Sequence, residues 1–382
     1  MPTSIAPLIG ADEYLIHQIP NTLATVHTAD HSWAEKIWAT LIRKDAGLQI
    51  NFGLGKYTNR SLIDGFAGIF RGVEQRTVRA SAILRGEDTA AGPLRYEVVE
   101  PLRRVRMALA ENSAQPIQFD VTFEHCMPAF FEARDVQHEP ARGRLSSDVV
   151  RYHQTGAASG WVQIEGERIT IRPEEWVAFR DHSWGTREHV GLDPTDLVPH
   201  HHNMFAEGLY GTWFVSQIRR PDGSYYELMF YFRRTARGLE HFNAFINEAD
   251  GTQKPILKVW PELELRAADY AVMRGRIHAI IDREGHGVEE RVFEIEAIEA
   301  DAGFRLQPAL YAPWKGAVHG SYKGELHLDG EHISDVRTAF DVKANPAWQI
   351  RDRPLRIKEG DNVGFADIEG CVIGSWAGVK IV

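Results

Sequence analysis

Apolar and polar residues alternate through most of the chain. Such alternation, combined with many β-branched and aromatic residues, is typical of half-buried β-strands. It is clearest in residues 47–54, 159–171, 211–220, 225–234, 274–282, 291–300, 324–330 and 336–342. Turn residues such as Pro221-Asp222-Gly223 and Asp250-Gly251 separate neighbouring segments, which favours hairpin connections. The pattern predicts an all-β, mainly antiparallel fold.

The segment AEKIWATLIR, residues 34–43, follows a different period. Ile37, Trp38, Leu41 and Ile42 are spaced as on one face of a helix. This segment is therefore the better of few helix candidates in the chain.

Two stretches of the chain resemble each other. GWVQIEGERI (160–169) aligns without gaps on GELHLDGEHI (324–333), with matching glycines and apolar residues at the same alternate positions. The two stretches lie about half a chain length apart, as two similar domains in tandem would place them. A chain of 382 residues also exceeds what one hydrophobic core usually organises.

We therefore predict two domains, residues 1–195 and 196–382. The boundary falls in GLDPTDLVPHHHN, where prolines, aspartates and a glycine interrupt the strand pattern. Each half is long enough for a closed or nearly closed β-barrel, whose interior can hold one apolar molecule.

Acidic residues outnumber basic ones, 53 Asp and Glu against 43 Lys and Arg, and the formal net charge is −10. No long run of Lys or Arg makes a local exception. The balance argues against nucleic acid or an anionic membrane surface as the main partner.

The N-terminal sequence and the cysteines predict a cytoplasmic protein. MPTSIAPLIGADEYLIHQIP lacks a basic region and an apolar core of adequate length, so we expect neither a signal peptide nor a membrane anchor. Cys126 and Cys371 stand in apolar, strand-like surroundings. This context favours buried thiols over a disulfide and a reducing compartment.

The stretch WVAFRDHSWGTRE, residues 176–188, brings large aromatic rings and titratable groups together. In a strand that ends at Asp181, Phe179 and Asp181 share one side and Trp176 the other. A carboxyl group against aromatic walls is desolvated, which raises its pKa and lets it act as an acid near neutral pH. Aromatic faces also stabilise the cation that forms when an alkene is protonated. Asp181 with Trp176 and Trp184 therefore indicates acid catalysis.

A turn is the alternative interpretation of the same residues. Asp181 followed by Ser183 and Gly185 could accept backbone N–H bonds at the end of a strand. His182 points elsewhere in an extended segment, and it reaches the same proton only if the backbone turns between Ser183 and Gly185. Composition alone leaves both interpretations open.

The stretch also resembles the Asp-His-x-Trp-Gly signature of the hydroxyneurosporene synthase (carotenoid hydratase) family and its AttH-like relatives. The preceding SGWVQIEGERITI is similar to the family's segment at that place. Upstream, Glu100, Pro101 and Arg106 match its Glu-Pro-x-x-x-x-Arg stretch. The resemblance covers residues 90–235 most clearly.

This resemblance implies two lipocalin-like β-barrel domains with a largely apolar cavity. Relatives include hydratases that add water across an isoprenoid double bond, and similar proteins act as cyclases on natural products. Carried over by residue, the signature implies Asp181 as the proton donor, with His182 and Trp184 as its neighbours in the site. Nothing in this sequence selects a long polyene.

Further aromatic residues and histidines follow the signature. Tyr210 and Trp213 are the first candidates for lining a cavity, although such residues more often pack in a core. His200, His201 and His202 are consecutive, and in an extended segment they point in alternate directions. We therefore expect a polar linker, or one histidine such as His201 facing the pocket, rather than a metal site.

Taken together, the sequence predicts a cofactor-independent, acid-catalysed enzyme acting on a hydrophobic small molecule such as a terpenoid, a steroid-like compound or a polyketide. Motifs for a P-loop, a nucleophile elbow or a dinucleotide fingerprint are missing from the sequence. Hydration, dehydration, isomerisation and cyclisation share the first protonation step. The main alternative is a non-catalytic carrier of an apolar ligand, and a motif that only locks two domains together is a third reading. The sequence leaves a homodimer open.

Overall fold

The computed structural model describes residues 8–17, 21–138, 143–188, 190–192, 196, 198, 208–283, 286–307 and 318–382. Nearly all regular structure in these residues is β-strand, arranged in two sheets. Strand pairs in this part of the chain are antiparallel apart from one parallel pair, Gln253–Leu265 with Val379–Ile381. Short 3-10 helices cover Gly10–Glu13, Thr58–Arg60 and Pro346–Gln349. The predicted all-β, mainly antiparallel fold is confirmed.

The first sheet contains most strands of the N-terminal half. Its strands are β1 (Trp33–Arg43), β2 (Leu48–Tyr57), β3 (Leu62–Arg71), β4 (Glu74–Ile83), β5 (Ala90–Ala91), β6 (Leu94–Glu100), β7 (Arg104–Leu109), β8 (Ile117–His125), β9 (Phe130–Phe131), β10 (Asp135–His138), β11 (Leu145–Ile164), β12 (Glu167–Ile171), β13 (Trp176–Thr186) and, from further along the chain, β21 (Leu326–Ile333). The order is β21-β4-β3-β2-β1-β13-β11-β8-β7-β6-β5, and β9, β10 and β12 also pair with the long strand β11.

The second sheet closes into a barrel. Its strands are β14 (Leu209–Arg219), β15 (Tyr225–Thr235), β16 (Gly238–Glu248), β17 (Gln253–Leu265), β18 (Val272–Asp282), β19 (Val288–Ala297), β20 (Phe304–Arg305), β22 (Arg351–Glu359), β23 (Asn362–Ile373) and β24 (Val379–Ile381). The order is β16-β15-β14-β23-β22-β19-β18-β17-β24, and β16 pairs with β17 to complete the ring. Together the two sheets form a two-domain, lipocalin-like β-barrel fold.

Three apolar clusters show how the sheets pack. One fills the first sheet and contains Phe52 and Trp176, and a second fills the barrel of the second sheet around Phe214. A third cluster joins residues of both sheets, among them Trp38 and Trp213. Strands β1, β13 and β14 contribute to this third cluster, so each is buried on both faces.

The helix expected over residues 34–43 is wrong, because this segment is strand β1. Leu41 packs inside the first sheet, whereas Trp38 and Ile42 pack in the cluster between the sheets. A strand with two buried faces has no polar alternation to identify it, and its apolar residues then match a helical period by coincidence.

The two similar stretches do not form equivalent structures. Residues 160–169 span a hairpin from β11 to β12, which turns at Glu165 and Gly166. Residues 326–333 form one uninterrupted strand, β21, paired with β4. A Cβ on Gly330 would meet Ala114 O at 2.8 Å, so this glycine allows close packing rather than a turn.

The strand expected at residues 336–342 is also wrong, since turns occupy this segment. Asp335 Oδ1 accepts a hydrogen bond of 2.9 Å from the backbone N–H of Arg337, and the N–H of Ala339 bonds to Asp335 O. Such a local side-chain contact stabilises a turn in competition with a sheet.

The chain passes from the first sheet to the second between Thr186 and Leu209, and β21 returns to the first sheet. The domain limits 1–195 and 196–382 stay a prediction. Cys126 and Cys371 are free thiols, the first half-buried and the second buried. Within the described residues, no helix has the length and apolar character needed to cross a bilayer.

Candidate active site

Strand β13 presents the signature residues on two opposite faces. Trp176 and Ala178 pack inside the first sheet, whereas Val177 and Phe179 pack between the two sheets. This division follows the alternation of a strand. Asp181 therefore projects towards the second sheet, on the same face as Phe179.

Asp181 is largely buried at this interface, with its side chain 15% exposed. Arg151 on β11 places its Nε 3.1 Å from Asp181 Oδ2 and its Nη1 3.4 Å from Glu132 Oε2. Burial raises the pKa of Asp181; the positive charge of Arg151 opposes this shift and the negative charge of Glu132 adds to it. The carboxyl group thus has the character of a weak acid held beside a guanidinium.

His182 and Trp184 lie on the other face of β13. His182 Nε2 is 2.8 Å from Glu35 Oε1 and its Nδ1 is 3.1 Å from the hydroxyl of Tyr152. The Trp184 ring meets the rings of His182 and Tyr152 edge-on. Because β13 continues to Thr186, the backbone does not turn to bring His182 beside Asp181.

The glycine of the signature permits a close strand contact. Gly185 has φ +139°, and a Cβ there would lie 2.1 Å from Asp148 O on β11. A side chain at this position would push the two strands apart. The Asp-His-x-Trp-Gly stretch is therefore a strand with one close backbone contact, and not the turn considered as the alternative.

A buried histidine stands next to Asp181 in the sheet. Strand pairing places Trp38 opposite Asp181 on one side and His153 opposite it on the other. His153 Nδ1 is 3.1 Å from Glu132 Oε1, and its Nε2 contacts Glu227 of the second sheet. Burial alone would lower the pKa of His153, but the two carboxylates outweigh it and raise the pKa to about 10. His153 is therefore a buried cation.

Two indoles connect this network across the interface. Trp213 Nε1 donates a hydrogen bond of 3.1 Å to Glu132 Oε1. The rings of Trp38 and Trp213 meet edge-on, with centroids 5.4 Å apart. Trp213 thus contacts Glu132, which in turn contacts Arg151, and Trp38 is a partner that the sequence did not suggest.

The second sheet adds three carboxyl groups. Trp38 Nε1 donates a hydrogen bond of 3.2 Å to Asp352 Oδ2, and the amide of Asn51 donates to the same oxygen. Asp367 and Glu369 adjoin Asp352 from β23. Burial, followed by the charge of Asp181, raises the pKa of Glu369 to about 7.

A buried amine continues the same face of β1. Lys36 Nζ is 3.0 Å from His319 Nδ1. Burial, reinforced by the positive charge of Arg187, lowers the pKa of Lys36 to about 7. We call the inter-sheet group Lys36, Trp38, Glu132, Arg151, His153, Asp181, Trp213, Glu227, Asp352, Asp367 and Glu369 the interface cluster.

The other predicted site residues are spread over the molecule. Trp176 is buried inside the first sheet and Tyr210 inside the second barrel, so neither reaches Asp181. His201 lies outside the described residues. Among the described residues, no group of His, Cys, Asp and Glu has an arrangement that could hold a metal ion.

A cleft of about 1260 Å³ lies on the second barrel, away from the interface cluster. Opposite charges face each other across its strands, with Glu262 paired to Arg276 and Glu296 to Arg356. Apolar residues such as Leu263, Ile295 and Phe365 also line it. In the interface cluster, by contrast, titratable groups lie largely buried beside the indoles of Trp38 and Trp213.

Sequence reasoning missed most of the interface cluster. The missed residues include titratable side chains within β-strands, such as His153 in VVRYHQT and Asp367 in GFADIEG. A buried polar residue is a signal that partners exist. The sequence does not say which distant strand supplies them.

Comparison with known proteins supports the fold. A family model described as a family of unknown function, DUF8625, matches residues 8–219. A solved structure from Nitrosomonas europaea, provisionally assigned as AttH, is 13% identical with a TM-score of 0.50, covering 88% of this chain and 92% of that chain. A search of the curated proteins finds no match. The AttH-like resemblance is thus supported at the level of the fold.

Two named enzymes are further structural neighbours. Kievitone hydratase from Nectria haematococca is 11% identical with a TM-score of 0.40, covering 89% of each chain. CghA is 9% identical with a TM-score of 0.46, covering 90% of this chain and 89% of its own. The activities in these names belong to those proteins.

Proposed function

We propose that this chain, which belongs to the DUF8625 family of unknown function, is an acid-catalysing enzyme of the hydratase, isomerase or cyclase type. The observation that carries the proposal is Asp181. Its carboxyl group is buried between two sheets, and burial raises its pKa. A protonated carboxyl group in such a place can donate a proton to an alkene, a carbonyl or an epoxide near neutral pH.

The groups around Asp181 are suited to stabilising the charges that form during such a reaction. Protonation of an alkene produces a carbocation, which the negative π-faces of indoles such as Trp38 and Trp213 can stabilise. Arg151 stabilises the carboxylate that Asp181 becomes after it has lost its proton. Glu132 contacts both Arg151 and His153. Because Arg151 also contacts Asp181, these contacts hold the carboxyl group of Asp181 in position.

The expected substrate is a hydrophobic small molecule, such as a terpenoid, a steroid-like compound or a polyketide. His182 and Trp184, on the far face of β13, keep the signature strand in place through Glu35 and Tyr152. We assign them a supporting role. The proposed reaction uses only protein side chains and water, and it needs no bound cofactor.

The direct test compares Asp181→Asn with His182→Gln, each incubated with isoprenoid and polyketide alkenes in D₂O. Loss of the acid at position 181 should lower turnover and deuterium incorporation by at least about 100-fold. Ligand affinity and melting temperature should change little, because asparagine is nearly isosteric with a protonated aspartate. His182→Gln should retain most activity. Full activity in Asp181→Asn would exclude the proposal.

A carrier protein is the second candidate function. The contact between Arg151 and Asp181, 3.1 Å between Nε and Oδ2, favours it, since a guanidinium stabilises the ionised form that cannot donate a proton. A carrier predicts that an apolar ligand binds wild type and Asp181→Asn equally and leaves both unchanged. Mass spectrometry of the ligand recovered from each protein separates the two functions.

A further inference from the structure

The carboxyl groups of Asp352, Asp367 and Glu369 form a compact group on the second sheet. Asp352 and Asp367 are fully buried, and Glu369 is half-buried. Asp352 accepts hydrogen bonds from Trp38 and Asn51. The carboxyl group of Asp367 adjoins the carboxyl of Asp352 and the backbone N–H of Ile368.

Two carboxyl groups that touch away from water hold at least one proton between them. Burial raises the pKa values of Asp352 and Asp367, and repulsion among the three acids raises them further. Glu369, nearer to solvent than the other two, is the member of the group that can exchange protons with its surroundings.

Glu369 faces Asp181 across the interface. Its strand neighbour is Trp213, whose indole donates to Glu132. The charged groups that act on Glu369 are Asp181, Arg151 and Glu132 from the first sheet, and Asp352 and Asp367 from its own sheet. The two sheets thus supply one carboxyl group each, Asp181 and Glu369, and the positive charge of Arg151 acts on both.

We propose that Glu369 is the second proton-transferring residue of this site, the acceptor that complements the donor Asp181. This inference rests on the proposed function. In a hydration, Asp181 gives its proton to one alkene carbon, and the π pair forms the new C–H bond. A water lone pair forms a C–O bond at the other carbon, and the Glu369 carboxylate takes one proton from that water.

Atoms and charges balance in this step. Alkene and water become an alcohol, Asp181 has lost one proton and Glu369 has gained one. Transfer of that proton back to Asp181 restores the starting state, and the reverse sequence is a dehydration. Asp352 and Asp367 act as positioning residues, because their shared proton keeps the group from ionising fully beside Glu369.

The first test needs no substrate. Infrared difference spectra over pH 5–9 follow the C=O band of protonated carboxyl groups in wild type, Glu369→Gln and Asp181→Asn. Wild type should lose one buried band near neutrality, and Glu369→Gln should lack that band. In Asp181→Asn the band should persist, because that variant keeps the Glu369 carboxyl group. Glu296→Gln, an exposed carboxyl group on β19, is the matched control and should match wild type.

The second test measures turnover of any alkene that wild type hydrates. Glu369→Gln should lower kcat by about 100-fold, while the recovered alkene still acquires deuterium from D₂O through Asp181. Glu369→Asp, which keeps the carboxyl group but shortens the side chain, should fall between Glu369→Gln and wild type, and it shows that the loss is not misfolding.

The outcomes separate the two proposals. Wild-type turnover in Glu369→Gln, or a neutral carboxyl band that persists in that variant, overturns the role of Glu369 and leaves Asp181 untouched. Full activity in Asp181→Asn overturns the proposed function itself, whatever the infrared bands show.

Discussion

Two side chains that face each other across paired strands are shifted differently: the pKa of Asp181 is raised towards its neutral form and that of His153 towards its charged form. Asp181 and His153 are cross-strand partners, and both are buried. Asp181 has one close cation, Arg151, and burial still raises its pKa. His153 has two carboxylates, which overcome burial and hold it as a cation. The number of close counter-charges therefore decides which buried group ionises.

His153 should make stability depend on pH. Its pKa in the folded protein is about 10, above the ordinary value of 6.5 for a histidine. A group whose pKa is raised on folding stabilises the protein fully below its unfolded pKa, and this stabilisation is lost as pH rises through the folded value. The contribution of His153 to the free energy of unfolding should therefore fall between pH 6.5 and about 10, as measured by urea denaturation of wild type against the variant His153→Gln. His153→Gln should lack this fall.

His153→Gln should also be strongly destabilised at neutral pH, because the buried carboxyl groups of Glu132 and Glu227 lose the cation that they share. Removing one member of a buried charge pair costs about 3–5 kcal/mol. His182→Gln is the matched control, since its partner Glu35 is exposed and such pairs contribute at most about 1 kcal/mol. Equal losses in the two variants would contradict the buried cation.

At the scale of elements, a strand was recognisable from the sequence where one of its faces meets solvent or a turn bounds it. The alternating segments at 225–234 and 274–282 fall within β15 and β18. Strand β1 was misread because Leu41 faces one core and Trp38 another, which removes the polar alternation. The local pattern of polar and apolar residues does not show whether a strand packs on a second face.

Gly185 gives a test at the same scale. Gly185→Ala forces a residue with a side chain into φ +139° and brings its Cβ to 2.1 Å from Asp148 O. Backbone strain alone costs about 1–3 kcal/mol, and the contact between β11 and β13 adds to it. Gly166→Ala is the control, because φ there is +90° and nothing lies within 4 Å of its Cβ. Urea midpoints should fall further for Gly185→Ala; a smaller loss than in the control would contradict the close contact.

At the scale of the whole molecule, the sequence predicted the lipocalin-like β-barrel fold and singled out Asp181 as a candidate acid, but it did not predict how the interface cluster is assembled. Asp181, Trp184 and Trp213 stood out because they are aromatic or titratable residues close together along the chain. Asp352 and Glu369 reach the interface only because β22 and β23 pack against the first sheet. That packing depends on contacts between distant parts of the chain. The pattern of residues within a single strand does not specify it.

The interface should also make the two barrels unfold together. Trp38 contacts Trp213 and donates to Asp352, and β21 from the second half of the chain completes the first sheet. Wild type should therefore melt in a single calorimetric transition. Trp38→Ala removes the indole that joins the sheets and should separate this transition into two. Phe52→Ala is the control, since it opens a cavity inside the first sheet at a similar cost of about 3–5 kcal/mol and spares the interface. It should lower the melting temperature and keep one transition; two transitions already in wild type would show that the sheets are energetically independent.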